Sequence, residues 1–353
     1  MQMNTPYSPV LGDFDVASKE ERENYIPPTA SVSYWKDAWR RLKKNRVAMV
    51  ALCVIIFLFV ACIFGPMLMD LDYSTQIRGE ENWPPVWEQP TEKLLAKAES
   101  KGIVFDAWKH PLGSDNLGRD NLARLLYGTR ISLAIGLVAS LIVLVIGSLY
   151  GAIAGYIGGM VDTIMMRVVD IIYSVPDVLI VLLLASTLKG PITTYINTHN
   201  SWISNFLSTI GPNLIGIFIT FGMLYWVGMS RIIRGQVLML KQNEYVTAAR
   251  ALGASDARII RKHLLPNCIG QLIVTTCLQI PSAIFLESFL SFLGMGVSAP
   301  LTSLGSLASE GLSGIYSYTY RLIVPSAVLS ILILAFNLFG DGLRDALDPR
   351  LKK

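Results

Sequence analysis

Three histidines, His110, His199 and His263, are the side chains best suited to proton transfer near neutral pH. Each stands apart from the others and reads as structural or solvated. No H-E-x-x-H pair, G-x-S-x-G elbow or G-x-x-x-x-G-K-[ST] phosphate loop occurs. The four cysteines, Cys53, Cys62, Cys268 and Cys277, lie in apolar runs without C-x-x-C spacing. That pattern favours small buried hydrophobes over zinc ligands or a disulfide framework. The chain is therefore expected to carry no catalytic set, no metal and no cofactor of its own. Glu287 is the one carboxylate well inside an apolar run. Ion-coupled transporters place such groups in mid-membrane, but a single one near the end of its run supports that chemistry weakly.

The elements that must position these residues are long and apolar. Of 353 residues, 52% are hydrophobic and 16% charged, against about a quarter charged in a soluble domain. Crossing about 30 Å of hydrocarbon takes roughly 20 apolar residues. Six stretches qualify, at 47–69, 131–156, 163–188, 210–229, 269–289 and 322–339. Their unbroken apolarity points to helices rather than alternating barrel strands. The expected fold is all-α, a polytopic membrane protein with six transmembrane helices. It divides into an N-terminal segment 1–46, a first span 47–69, an external loop 70–130, a five-span core 131–340 and a tail 341–353. The polar first thirty residues lack the apolar stretch of a cleavable signal, leaving the first span to act as the membrane signal.

Basic residues cluster at segment ends. Arg40, Arg41, Lys43, Lys44 and Arg46 precede the first span. Arg231, Arg234, Lys241, Arg250, Arg258, Arg261 and Lys262 fall between the fourth and fifth, and Arg344, Arg350, Lys352 and Lys353 follow the sixth. The positive-inside rule places all three groups, and both termini, in the cytoplasm. The loops 70–129, 189–209 and 290–320 are then external. A net charge of +4 without a basic stripe argues against nucleic acid as a partner.

Several local patterns carry expectations. Gly147, Gly151 and Gly155 share one helix face, the small-xxx-small spacing that permits close helix approach, within the chain or to another subunit. Pro176 is expected to kink the third span. Asp162, Arg167 and Asp170 near its start read either as local charge compensation or as part of a gate. The segment 112–120 looks like a turn feeding a helix, with Asp120 as a cap and Asp115 within reach of Arg119. It either braces the external mouth or meets a partner.

The segment 231–267, RIIRGQVLMLKQNEYVTAARALGASDARIIRKHLLPN, is too long for a bare connector. Helix formers at 244–252, a break at Gly253 and a second run at 256–264 predict helix, turn, helix. Ser255 stands at the second N-cap, and Pro266 is expected to end the hairpin. Gly253 can take φ > 0 at little cost.

TAARALGASDARIIRKHLLP resembles the EAA loop of binding-protein-dependent ABC importer permeases. Ala248, Ala249, Gly253, Leu265 and Pro266 fall in register. Thr247 stands where that pattern has Glu, with Glu244 one turn earlier, and His263 where it has Ile. HPLGSDNLGRDNLARLLYGTRISL, FLESFLSFLGMG and FNLFGDGLRDALDPR resemble segments of the peptide-type permeases of the OppC and DppC kind. The first of these contains Gly113, Asp115, Gly118, Arg119 and Asp120.

The resemblance implies the permease fold, a second OppB- or DppB-like permease, two ATP-binding subunits that hold the ATP and Mg, and an extracytoplasmic peptide-binding protein. It also implies a bacterial inner-membrane location and a peptide substrate. In such permeases the EAA loop is a coupling helix seated on an ATPase, here expected at 231–267 with Glu244, Ala248, Ala249, Gly253, Leu265 and Pro266. Competing readings are an importer of the same family for another cargo such as nickel or an opine, a self-sufficient ion-coupled transporter, and a membrane enzyme.

Overall fold

A computed structural model describes residues 33–69, 72–297 and 299–347. The expectations for residues 1–32 and for Arg350, Lys352 and Lys353 lie outside it. The described residues form helices, with one isolated bridge between Ser114 and Asp120. Six helical runs are long and apolar enough to cross a membrane: Arg46–Leu68, Asn121–Ile157, Asp177–Thr198, Pro212–Leu240, Asp256–Phe292 and Tyr320–Leu347. The chain is thus an all-α, multi-pass membrane protein, as the composition required.

A short helix absent from the sequence reading, α1 (Tyr34–Lys44), precedes the first span, α2 (Arg46–Phe64). Asn45 between them is extended, and its side chain accepts from Ala48 N (3.1 Å). A second short helix, α3 (Glu92–Ser100), sits in the region before the second span. That span, α4 (Asn121–Ile157), is one uninterrupted helix of 37 residues. It starts ten residues before the expected 131, because Asp120 caps it by accepting from Ala123 N (2.6 Å).

The third span is the main correction. A kinked helix over 163–188 is not present. Val175 is extended (ψ 137°), as the residue before a proline prefers. The helix divides into α5 (Gly159–Ser174) and α6 (Asp177–Thr198). Nor does Arg167 pair with Asp162 and Asp170. Asp162 accepts from Arg234 Nε (2.5 Å) and Nη2 (2.6 Å), and Asp170 from Arg231 Nη2 (2.9 Å).

The expected loop 189–209 is also mostly helical. It holds the end of α6 and a short α7 (Trp202–Ile210). The fourth span runs through α8 (Pro212–Thr220), a π turn at Phe221–Tyr225 and α9 (Trp226–Leu240).

After α10 (Glu244–Ala251), the short α11 (Asp256–Ile259) leads through a π turn and a 3-10 turn into α12 (Ile269–Phe292). Pro266 therefore does not end the hairpin. It occupies the first turn of Leu265–Cys268, where its missing N–H costs nothing. A short, largely buried helix, α13 (Leu304–Leu312), precedes the last span, α14 (Tyr320–Leu347).

The core lies between α4, α9 and α12, where Ile135, Val143, Phe221, Ile233 and Leu290 are buried. The glycine face of α4 packs within the chain. A Cβ on Gly151 would lie 2.3 Å from the Ser230 carbonyl oxygen, and one on Gly155 2.8 Å from that of Arg234. Of the four cysteines, Cys53 is exposed and the others are buried free thiols.

Candidate functional site

Two sets of sequence-predicted residues gather at opposite ends of α4. At the Ile157 end lies the elbow. Helix α10 closes with Ala254 N donating to Ala249 O (3.0 Å) and Gly253 N to Arg250 O (3.0 Å). This is the Schellman arrangement, which needs a left-handed residue, and Gly253 supplies it with φ +79°. Ser255 occupies the next N-cap without a side-chain bond. The second arm is helical without interruption into the fifth span, so the elbow is fused to a membrane helix.

The alanines divide between two faces. Ala249 is turned inward with Val246, Ile259 and Leu264, all buried. Ala248 and Ala251 face outward, and Leu252 is 88% exposed at the tip. Ala248 and Ala249, both expected in the coupling helix, thus do not share one surface, because the helical repeat turns Ala249 into the hairpin. Glu244 is exposed at the first position of α10, where a carboxylate suits the helix dipole. Leu265 is half-buried and Pro266 exposed. Tyr156, near the end of α4, ties both arms. Its hydroxyl donates to Asp256 Oδ1 (2.8 Å) and accepts from Arg250 Nη2 (3.1 Å). Lys241 Nζ donates to the Gly155 carbonyl (2.8 Å).

At the Asn121 end lies a folded cap. Gly113 (φ +71°) and Gly118 (φ +75°) are both left-handed and both crowded. A Cβ would approach the Trp83 and Ile77 carbonyl oxygens to 2.5 and 2.1 Å. Asp115 Oδ1 accepts from Leu117 N (2.8 Å) and Arg119 N (2.9 Å). Its Oδ2 accepts from Arg119 Nε (2.6 Å) and Arg124 Nη1 (2.8 Å). Arg124 also donates to both oxygens of Glu310 (2.8 and 3.0 Å), which fastens α4 to α13. Asp115, Arg119, Arg124, Glu310 and Arg321 line a cleft of about 240 Å³. The cap residues Gly113, Asp115, Gly118, Arg119 and Asp120 form one bonded unit, far from the elbow.

Sequence reasoning missed two features. His110 is not isolated. It is 1% exposed, with Nδ1 2.8 Å from Asp120 Oδ2 and Nε2 2.8 Å from Glu80 Oε2, and Lys109 bonds the same Glu80. Burial alone would lower the imidazole pKa, but the bonds and charges of Asp120 and Glu80 outweigh it and raise it above the usual value. No signal reveals this, because Glu80 lies thirty residues upstream of its partner.

Glu287 is fully buried inside the chain. It accepts from Ser291 Oγ (2.6 Å) and Ser132 Oγ (3.4 Å). Ser132 accepts in turn from Leu304 N (3.2 Å), and Ser291 from Val297 N (3.2 Å). The carboxylate therefore anchors Val297 and Leu304 through the two serines. The Glu287 and Ser291 spacing of one helical turn was the available clue.

Comparison with known proteins places these features in context. Residues 147–353 match the family described as binding-protein-dependent transport system inner membrane component. Residues 33–85 match the N-terminal TM domain of oligopeptide transport permease C. The chain is 42% identical over 341 residues to the dipeptide transport system permease protein DppC of Bacillus subtilis, covering 96% of this chain and 93% of that one. It is 41% identical over 323 residues to the oligopeptide transport system permease protein OppC of the same organism, covering 92% of each. To the Escherichia coli K12 OppC it is 38% identical over 318 residues, covering 90% of this chain and 92% of the other.

Proposed function

Because the chain belongs to the family of binding-protein-dependent transport system inner membrane components, we propose that it is a permease subunit of an ATP-driven importer of dipeptides or oligopeptides. It forms half of the translocation path and catalyses no reaction itself. Its partners are a second permease, two ATP-binding subunits that hold the nucleotide and Mg, and an extracytoplasmic peptide-binding protein. Both termini and the elbow face the cytoplasm of a bacterium and the cap faces outward, an orientation supported by the basic residues around the elbow.

The observation that carries this reading is the elbow. It offers an exposed tip, formed by Ala251, Leu252 and Gly253, on a hairpin fused to the fifth span. Closure of the ATP-binding subunits moves that tip, and the rigid joint passes the motion to the membrane helices. Buried Val246, Ile259 and Leu264 keep the two arms from moving independently.

The test is reconstitution. The chain, co-expressed with its second permease and ATP-binding subunits, is placed in proteoliposomes with the binding protein outside. Peptide-dependent ATPase stimulation and peptide uptake are expected together, with neither in vesicles holding this chain alone. Uptake by the isolated chain under an ion gradient would refute the proposal.

A further inference from the structure

The break in the third span lies level with the middle of the fourth. Tyr225 is thirteen residues from Pro212 and fifteen from Leu240, the ends of the fourth span. Its hydroxyl reaches Asp177 Oδ2 at 3.5 Å. On one side of this level α5 lies along α9, with Val169 packed on Trp226 and Val227 and the Arg231 guanidinium over Tyr173 (4.5 Å). On the other side α6 lies along α8. Helix α5 thus lies on one side of this level and α6 on the other, and Asp177 stands at the joint.

Lipid tolerates neither an interrupted helical ladder nor a carboxylate at this depth. Such a break persists where it lines a water-filled space or is covered by protein. Here it is uncovered, since Ser174 to Asp177 are all exposed. Two cavities of about 560 and 520 Å³ meet at Asp177 and Tyr225. The polar side chains that close them come from other spans. Gln279 and Ser282 belong to α12, and exposed Asn337 to α14. Neither Gln279 nor Asn337 makes a side-chain hydrogen bond to a described residue. Phe285, 61% exposed, adds an apolar wall.

Gln279 and Asn337 are thus unsatisfied donors and acceptors beside a single negative charge, in spans that are otherwise apolar. Their complement is a solute with a cationic group and amide bonds. Resting on the peptide-importer reading above, we propose that this face lines the translocation path. Asp177, assisted by Tyr225, receives the α-ammonium of the passing peptide, while Gln279 and Asn337 bond its amides.

Two measurements on the assembled transporter test this. In the first, tri-alanine uptake is compared for wild type, Asp177→Asn and Asp177→Glu. Asp177→Asn is expected to lower uptake about tenfold through loss of one charge-assisted hydrogen bond, with peptide-stimulated ATPase retained. Asp177→Glu restores most of the uptake.

In the second, Gln279→Cys, Asn337→Cys and Phe57→Cys are made in a cysteine-free chain and exposed to a charged methanethiosulfonate. Phe57, in the first span, is 69% exposed and lines neither cavity. Positions 279 and 337 are expected to react and 57 to stay unmodified. Wild-type uptake by Asp177→Asn, loss of its ATPase stimulation along with uptake, or equal labelling at all three positions would overturn the assignment. Absence of peptide uptake by the wild-type complex would instead overturn the proposed function, and the labelling pattern would still report whether this face lines water.

Discussion

Gly253→Val tests the mechanical role proposed for the elbow. Nothing lies within 4 Å of a Cβ built on Gly253, so a side chain there meets no clash. Its cost is the left-handed backbone at φ +79°, about 1–2 kcal/mol for an ordinary residue. That corresponds to a shift of roughly 5- to 30-fold away from the observed bend. Valine adds χ1 restriction, whereas asparagine tolerates this region. The bend holds the Ala254–Ala249 and Gly253–Arg250 backbone bonds, so relaxing it releases α10 from α11. The assay is the ratio of peptide transported to ATP hydrolysed in proteoliposomes. Gly253→Asn should keep the wild-type ratio, Gly253→Ala should lower it, and Gly253→Val should hydrolyse ATP with little uptake, all three inserting normally. A wild-type ratio for Gly253→Val would refute the idea that this bend transmits work.

Three further outcomes follow from the packing and the cap. Gly151→Ala forces a methyl against the Ser230 carbonyl and should cost about 1–3 kcal/mol, read as a lowered Tm in detergent. Gly228→Ala, with nothing within 4 Å, should leave Tm nearly unchanged. The raised pKa of His110 means its two ion pairs stabilise the cap fully below about pH 6.5, the unfolded value, and this contribution fades as pH rises through the folded pKa. Protease resistance of residues 72–120 should therefore decline on the alkaline side. His110→Ala should remove that pH dependence and destabilise the cap by about 1–3 kcal/mol, since Asp120 and Glu80 lose a buried partner but keep Ala123 N and Lys109. Glu287→Ala should strand the Ser132 and Ser291 hydroxyls at about 1–3 kcal/mol, seen as faster proteolysis of the 297–304 loop.

What the sequence revealed follows from the range of the forces involved. Apolar runs are set by the bilayer and need no partner to be recognised, so the six spans and their order were legible. The glycines at 113, 118 and 253 were legible because turn chemistry is local. The division of the third span was misread because Pro176 inside an apolar run permits a kink or a break. The choice is made by Arg231 and Arg234 on another helix, which hold Asp170 and Asp162 and keep α5 against α9. The inward turn of Ala249 was not legible, because adjacent alanines look alike until the hairpin closes on one of them. The cap pairs Glu80–His110 and Arg124–Glu310 join residues 30 and 186 positions apart, beyond any local pattern.

The length of α4 has its own consequence. Its 37 residues span about 55 Å, well beyond the hydrocarbon, with no proline or break along the way. One extremity is clamped by Arg124 to Glu310 and by Asp120 to His110, the other by Tyr156 to Asp256 and Arg250. A rod gripped at both tips has no slack. A tilt imposed at one tip must appear, within the same movement, at the other.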